Sequence, residues 1–178
     1  MAVHDAERVR DTDVSTLELH HEVSALLNRE ARLLDAQQWH DWLELYCEDA
    51  VLWAPAYTME GSYTTDPELE LNLLYIKGRA GLEDRVFRLG TQLSLASTPL
   101  PRTRHFLSLI TLDEVSEAEI HVFANAQVVW YSELRGQQVR ASSYEMVLRR
   151  ADDRLRIRQK KILLLESAID GYFDFYGV

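Results

Sequence analysis

Six histidines and one cysteine, set among 29 acidic residues, are the side chains of this 178-residue chain best able to hold a metal or move a proton. The histidines are His4, His20, His21, His40, His105 and His121. A mononuclear non-haem iron takes two histidines and one carboxylate on one face and leaves positions open. His20 and His21 are adjacent, so on a helix their side chains diverge by about 100° and cannot meet at one ion. His4 falls in the charged N-terminal stretch, and His40 stands beside Trp39 on the polar side of a helix. His105 and His121 can share neighbouring strands, but no carboxylate has an evident place beside both. The spacing therefore predicts no metal site on this chain. Cys47, the single cysteine, excludes an intrachain disulfide and any site that needs two thiolates. It reads as a small buried apolar residue, and its solitude suits a reducing, cytoplasmic setting.

Proton transfer within a pocket is the other chemistry open to these residues. Asp49, Tyr46, His105 and His121 are the candidates, with an Asp–His pair as the working unit of a stand-alone isomerase or dehydratase. Each also has a plainer role. Asp49 falls between a helix end and a strand, where aspartate commonly accepts backbone N–H bonds, and Tyr46 belongs with the core aromatics.

The elements that must position these groups follow from apolar periodicity. Leu19, Val23, Leu26, Leu27, Ala31 and Leu34 recur at spacings of three and four and mark one helix face. Asp35 and Gln38 approximate a capping box opening a second helix, whose face is Trp39, Trp42, Leu43 and Tyr46. The run 50–54 then reads as a strand stopped by Pro55, and 57–67 as a turn-rich surface loop. Residues 71–76 suit either strand or helix. After Gly78 and Gly81 the helical period returns through Leu82, Val86, Leu89 and Leu93, closed by Pro99 and Pro101. From Arg102 to Ala168 the period falls to two. Runs at 104–112, 119–134 and 138–149 are separated by turns, with Arg135–Gln137 and Asp152–Asp153 as hairpin turns. In the last run Leu155 and Ile157 share one phase while Ile162 and Leu164 share the other, which predicts a bulge near Gln159–Lys161. The pattern predicts an α+β fold: a strongly curved, mostly antiparallel sheet of five or six strands wrapped around the N-terminal helices.

Size and charge exclude several functions. The length suits one domain, read as residues 16–178 behind a solvated N-terminal arm, 1–15. No apolar run approaches the roughly 20 residues that span a bilayer, and the charged start does not resemble a secretory signal. A formal charge of −10 disfavours nucleic acid and anionic membranes as partners.

Three segments carry a family resemblance. REARLLDAQQWHDWLELYCEDAVLWAPA (29–56) is similar to the opening helix pair and first strand of the small (β) subunits of aromatic-ring-hydroxylating dioxygenases. LLYIKGRAGLEDRVFRL (73–89) with TPLPRTRHFLS (98–108) resembles their central block, and KKILLLESAIDGYFDFYGV (160–178) their C-termini. The likeness is greatest to the benzoate, toluate and anthranilate branch. It implies the cone-shaped fold of ketosteroid isomerase and scytalone dehydratase (SnoaL-like, cystatin-like) and a non-catalytic subunit. It also implies an assembly of three large and three small subunits, in which the large subunit carries a Rieske iron–sulfur cluster and a mononuclear iron. A Rieske centre needs two cysteines and two histidines, which this chain cannot supply. Leu109 departs from the pattern, because many relatives carry asparagine there; a polar contact at that point is not expected here. Arg79, Asp84, Arg85, Arg102 and Arg104 lie in the family-like segments. They read either as solvated charges or as contacts to the large subunit and other small subunits, which arginine's forked guanidinium suits. Trp53, Trp130 and Tyr131 read as core, although aromatic residues are also enriched at interface centres.

Overall fold

The change of apolar period divides the chain as expected, with helices first and a sheet after. The structure, a computed structural model, describes residues 2–90, 100–167, 169 and 173–178, and for residues 2–14 and 90 the backbone alone. Helix α1 spans Ala2–Asp35, α2 Trp39–Leu43 and α3 Arg79–Gly90. The strands are β1 Tyr46–Pro55, β2 Asn72–Lys77, β3 Arg102–Val115, β4 Glu119–Ser132, β5 Gly136–Ala151 and β6 Arg154–Leu164. Helical backbone thus runs through the stretch read as an arm. Leu93 and Pro99 lie outside the described residues.

All six strands form one sheet in the order β2-β1-β6-β5-β4-β3, antiparallel throughout except where β1 lies parallel to β6. One side of the sheet encloses the helices. Val122, Ala124, Ala126 and Val128 of β4 face inward with Tyr144, Met146 and Leu148 of β5. All of these except Val128 meet Val23, Leu27 and Leu34 of α1, Trp42 of α2 and Leu82 of α3 in one core. This is the expected α+β cone.

Three local expectations are corrected. The second helix stops at Leu43, and Tyr46 opens a strand. The Leu45 carbonyl accepts from Ile157 N at 2.8 Å, so pairing with β6 overrides the helical spacing of Tyr46. Asp35 does not cap α2, because its carboxylate is drawn to β3. Helix α1 closes instead through paired end bonds, Gln38 N to Leu33 O and Gln37 N to Leu34 O, with Gln37 left-handed at φ 56°. Finally, the β6 bulge falls slightly earlier than predicted. Ile157 pairs with Leu148 and Gln159 with Val147, leaving Arg158 as the extra residue.

Leu109 occupies a second bulge. Ser108 pairs with Asn125 and Thr111 with Phe123, so Leu109 and Ile110 together oppose one residue of β4. Leu109 has φ 52°, a left-handed conformation that costs an L-residue about 1–2 kcal/mol and that asparagine tolerates better. Asparagine at this point therefore suits the backbone, whether or not its side chain makes a contact. Leu109 is 65% exposed, so little burial is at stake. Leu109→Asn should raise stability by about 0.5–1 kcal/mol, seen as a higher urea midpoint at unchanged slope. A lower midpoint would mean that the leucine side chain stabilises the fold in some other way.

Candidate functional site

The cone interior holds a charged pair. Glu30 belongs to α1 and follows Val23, Leu26 and Leu27 by seven, four and three residues, so it lies on the apolar face. Lys160 belongs to β6, where the bulge at Arg158 puts it in phase with Ile162 and Leu164. Their side chains are 3% and 2% exposed, and Lys160 Nζ donates to both Glu30 oxygens at 2.8 Å. Tyr46 Oη donates to Glu30 Oε1 at 2.7 Å, and Trp42 Nε1 reaches the same oxygen at 3.4 Å. The ammonium also lies 4.2 Å from the centre of the Tyr144 ring. Burial alone would push the Glu30 carboxyl up. The Lys160 charge and hydrogen bonds, with that of Tyr46, outweigh it and hold the group below the usual carboxylate range. Burial followed by the Glu30 charge pushes the Tyr46 phenol well above its ordinary value. The pair is thus a fixed ionic brace joining α1, β1 and β6.

A second buried cluster ties the end of α1 to β3, an outer strand of the sheet. Asp35 Oδ1 accepts from Thr103 Oγ1 at 2.9 Å and lies 2.7 Å from His105 Nδ1, while Oδ2 accepts from His105 N at 3.1 Å. Burial raises the Asp35 pKa, but the hydrogen bonds and charge of His105 bring it below the ordinary value. The His105 side chain is 1% exposed, and its Nε2 has no hydrogen-bond partner among the described residues. Farther along the same seam His20 Nε2 lies 2.9 Å from Ile110 O.

The proposed acid–base set does not assemble. Asp49 is exposed on β1 and pairs with Arg149 at 3.2 Å and Arg158 at 2.7 Å. His121 is exposed on β4, pointing away from the core that its neighbours Ile120 and Val122 enter. Tyr46 serves Glu30, and His105 finds Asp35 rather than Asp49. Sequence reasoning missed Glu30, Lys160 and Asp35. Two of them carried a signal: a carboxylate on an apolar helix face and a lysine in phase with strand core residues. Among the described residues no three His, Cys, Asp or Glu side chains group together to hold an ion. Cys47 is buried, and burial followed by the Asp49 charge pushes its thiol up, away from the reactive thiolate.

The five interface candidates spread over two regions. Arg79 opens α3 and engages Glu44, Glu48 and Glu83. Asp84 is exposed on the same helix, and Arg85 pairs with Asp174 at 3.0 Å. Arg102 is exposed on β3, stacked over Tyr131 at 4.9 Å, and Arg104 donates to the Thr103 carbonyl at 2.6 Å. The structure brings Arg79, Asp84 and Arg85 together on α3, with Arg102 and Arg104 apart on β3.

Comparison with known proteins agrees with this geometry. The family model described as the ring hydroxylating beta subunit matches residues 29–171. The anthranilate 1,2-dioxygenase small subunit of Acinetobacter baylyi is 36% identical over 166 residues, covering 92% of this chain and 99% of that one. The crystal structure of the benzoate 1,2-dioxygenase beta subunit of Burkholderia mallei superposes with a TM-score of 0.71 at 28% identity, covering 89% of this chain and 96% of that one. A scytalone dehydratase-type chain of Novosphingobium aromaticivorans shares the fold alone, with a TM-score of 0.64 at 17% identity, covering 87% of this chain and 89% of that one. End-to-end similarity and a matching cone lead to one assignment: this chain belongs to the β-subunit family of ring-hydroxylating dioxygenases.

Proposed function

We propose that the chain serves a cytoplasmic oxygenase that cis-dihydroxylates an aromatic carboxylate, in an assembly of three large and three small subunits. The observation that carries this reading is its near full-length similarity to small subunits of dioxygenases named for anthranilate, 2-halobenzoate, benzoate and toluate, all aromatic carboxylates. The Rieske cluster and mononuclear iron belong, on this reading, to the large subunit. The lone Cys47 supports that division, because a Rieske centre takes two cysteines. The small subunit then holds the large subunits so that electrons pass between neighbouring metal centres. Asp84, Arg102 and Arg104 offer charge at its surface for these contacts. Arg79 and Arg85 belong to the same proposed contacts, and they, like Arg102 with Glu133, also pair within the chain.

Expressed alone, the chain should be colourless, hold no stoichiometric iron and hydroxylate nothing. Mixed with its large subunit, electron-transfer proteins and an aromatic carboxylate, it should appear in an active brown complex. Alanine at Asp49, His105 or His121 should lower turnover per intact complex by less than about tenfold, or roughly 1.4 kcal/mol of barrier. Loss of a general base typically costs about 10²-fold or more. Dehydratase or isomerase activity from the isolated chain, or a hundredfold turnover loss in an intact variant complex, would overturn the reading.

A further inference from the structure

Between α2 and α3 lies an open groove of about 810 Å³, outside the ionic brace, whose floor is the outer edge of the core. Trp39 and Leu43 of α2 and Val86 and Phe87 of α3 form its apolar floor. Phe87 is 73% exposed, although its helix buries Leu82, Val86 and Leu89 against the core. Phe87 is not a lone exposed apolar residue, because it lines one groove with Trp39, Leu43 and Val86, and contiguous apolar surface of this kind marks contact sites.

The rim supplies the chemistry of the occupant. Arg79 is the cation engaged there, and three carboxylates, Glu44, Glu48 and Glu83, converge on it. On the rim itself Glu44, Glu83 and exposed Asp84 stand against Arg79, which leaves two negative charges in excess. An apolar floor under a negative rim fits a segment with apolar side chains on one face and lysine or arginine beside them. Helix-in-groove recognition commonly takes this form.

We propose that this groove is the docking site for the large subunit, which inserts an apolar segment flanked by basic residues over Phe87. The inference rests on the reading of the chain as a small subunit, and it adds the face, the anchor and the charge of the partner segment. The cationic flank would face Glu83 and Asp84, so association should weaken as salt rises.

The test is co-expression of the chain with its large subunit, followed by affinity capture and sizing. Phe87→Asp and the double variant Glu83→Lys/Asp84→Lys should each reduce captured large subunit at least tenfold. Phe87→Leu should retain it. The isolated Phe87 variants should match the wild-type elution volume and melting temperature, because Phe87 contributes little to the chain's own core; the double variant, which loses the Glu83–Arg79 ion pair, should match in elution volume. Wild-type chain that captures no large subunit would sink the small-subunit reading itself. Wild-type capture with undiminished capture by both variants would overturn the groove assignment alone. A changed elution volume for an isolated variant would assign the groove to a second copy of the chain. A lowered melting temperature for a Phe87 variant would assign it to the chain's own packing, and either result overturns the proposal.

Discussion

Lys160→Met should cost about 3–5 kcal/mol of folding stability, the range seen when one partner of a buried ion pair is removed. The substitution keeps the apolar length of the side chain but strands the Glu30 carboxylate, which is 3% exposed and was bonded to Lys160 through both oxygens. Only Tyr46 and a long contact from Trp42 remain to it, and both donors are neutral. Glu30 then takes up a proton near neutral pH or draws water into the core. Domains of this size are typically stable by about 5–15 kcal/mol, so the loss is a large share of the total. Urea unfolding followed by tryptophan fluorescence reports it as a lower midpoint. The double variant Glu30→Leu/Lys160→Met should recover most of the loss, because apolar residues of similar volume often replace a buried pair without penalty. A single variant as stable as wild type would show that water or a rearranged partner already reaches Glu30. A double variant no better than the single would show that Tyr46 and Trp42 need the carboxylate as much as Lys160 does.

This brace also shows where reading the sequence stops. The strands after Arg102 and the apolar face of α1 were legible because packing against one core imposes a period, and period is a property of the sequence itself. The parity slip in β6 was legible too, and it located the bulge to within two residues. Lys160 became an interior residue only through that slip, so the same signal that predicted a bend implied a buried lysine. Its carboxylate partner is 130 residues away on a helix, and no local pattern joins the two. Asp35 illustrates the opposite failure. Its local context matches a helix cap, but a strand 70 residues later offers three donors that the cap position does not. Tyr46 kept helical spacing with Trp39 and Trp42, and pairing with β6 took it into a strand. Long-range pairing decided each of these cases, and a single sequence does not display it. The surface residues were the least legible, since Phe87 lies one position from Val86 in a helix whose predicted face had already been assigned to the core.

Asp35→Ala should cost about 3 kcal/mol at neutral pH and should loosen β3 before the rest of the sheet. The carboxylate receives three donors from β3, and hydrogen bonds to a charged group contribute roughly 1.5–3 kcal/mol each, not additively. Alanine leaves a buried imidazole and the Thr103 hydroxyl without their acceptor, while β3 already lies at the edge of the sheet with no strand beyond it among the described residues. Hydrogen exchange should therefore quicken at the His105 amide, which donates to Asp35, by more than at amides in β5. The pH dependence has a definite sign. The folded-state pKa of Asp35 lies below its ordinary value, so its contribution is full above roughly pH 4 and fades as the pH falls through the lowered folded value. Wild type and variant should accordingly converge in stability on acidification below about pH 4, with the wild type losing more. Glu30, also held below its ordinary value, gives both proteins a shared acid lability that cancels in the comparison. A stability gap that stayed constant down to pH 3, or exchange that quickened equally in β3 and β5, would show that Asp35 does not act through the charged contact to His105.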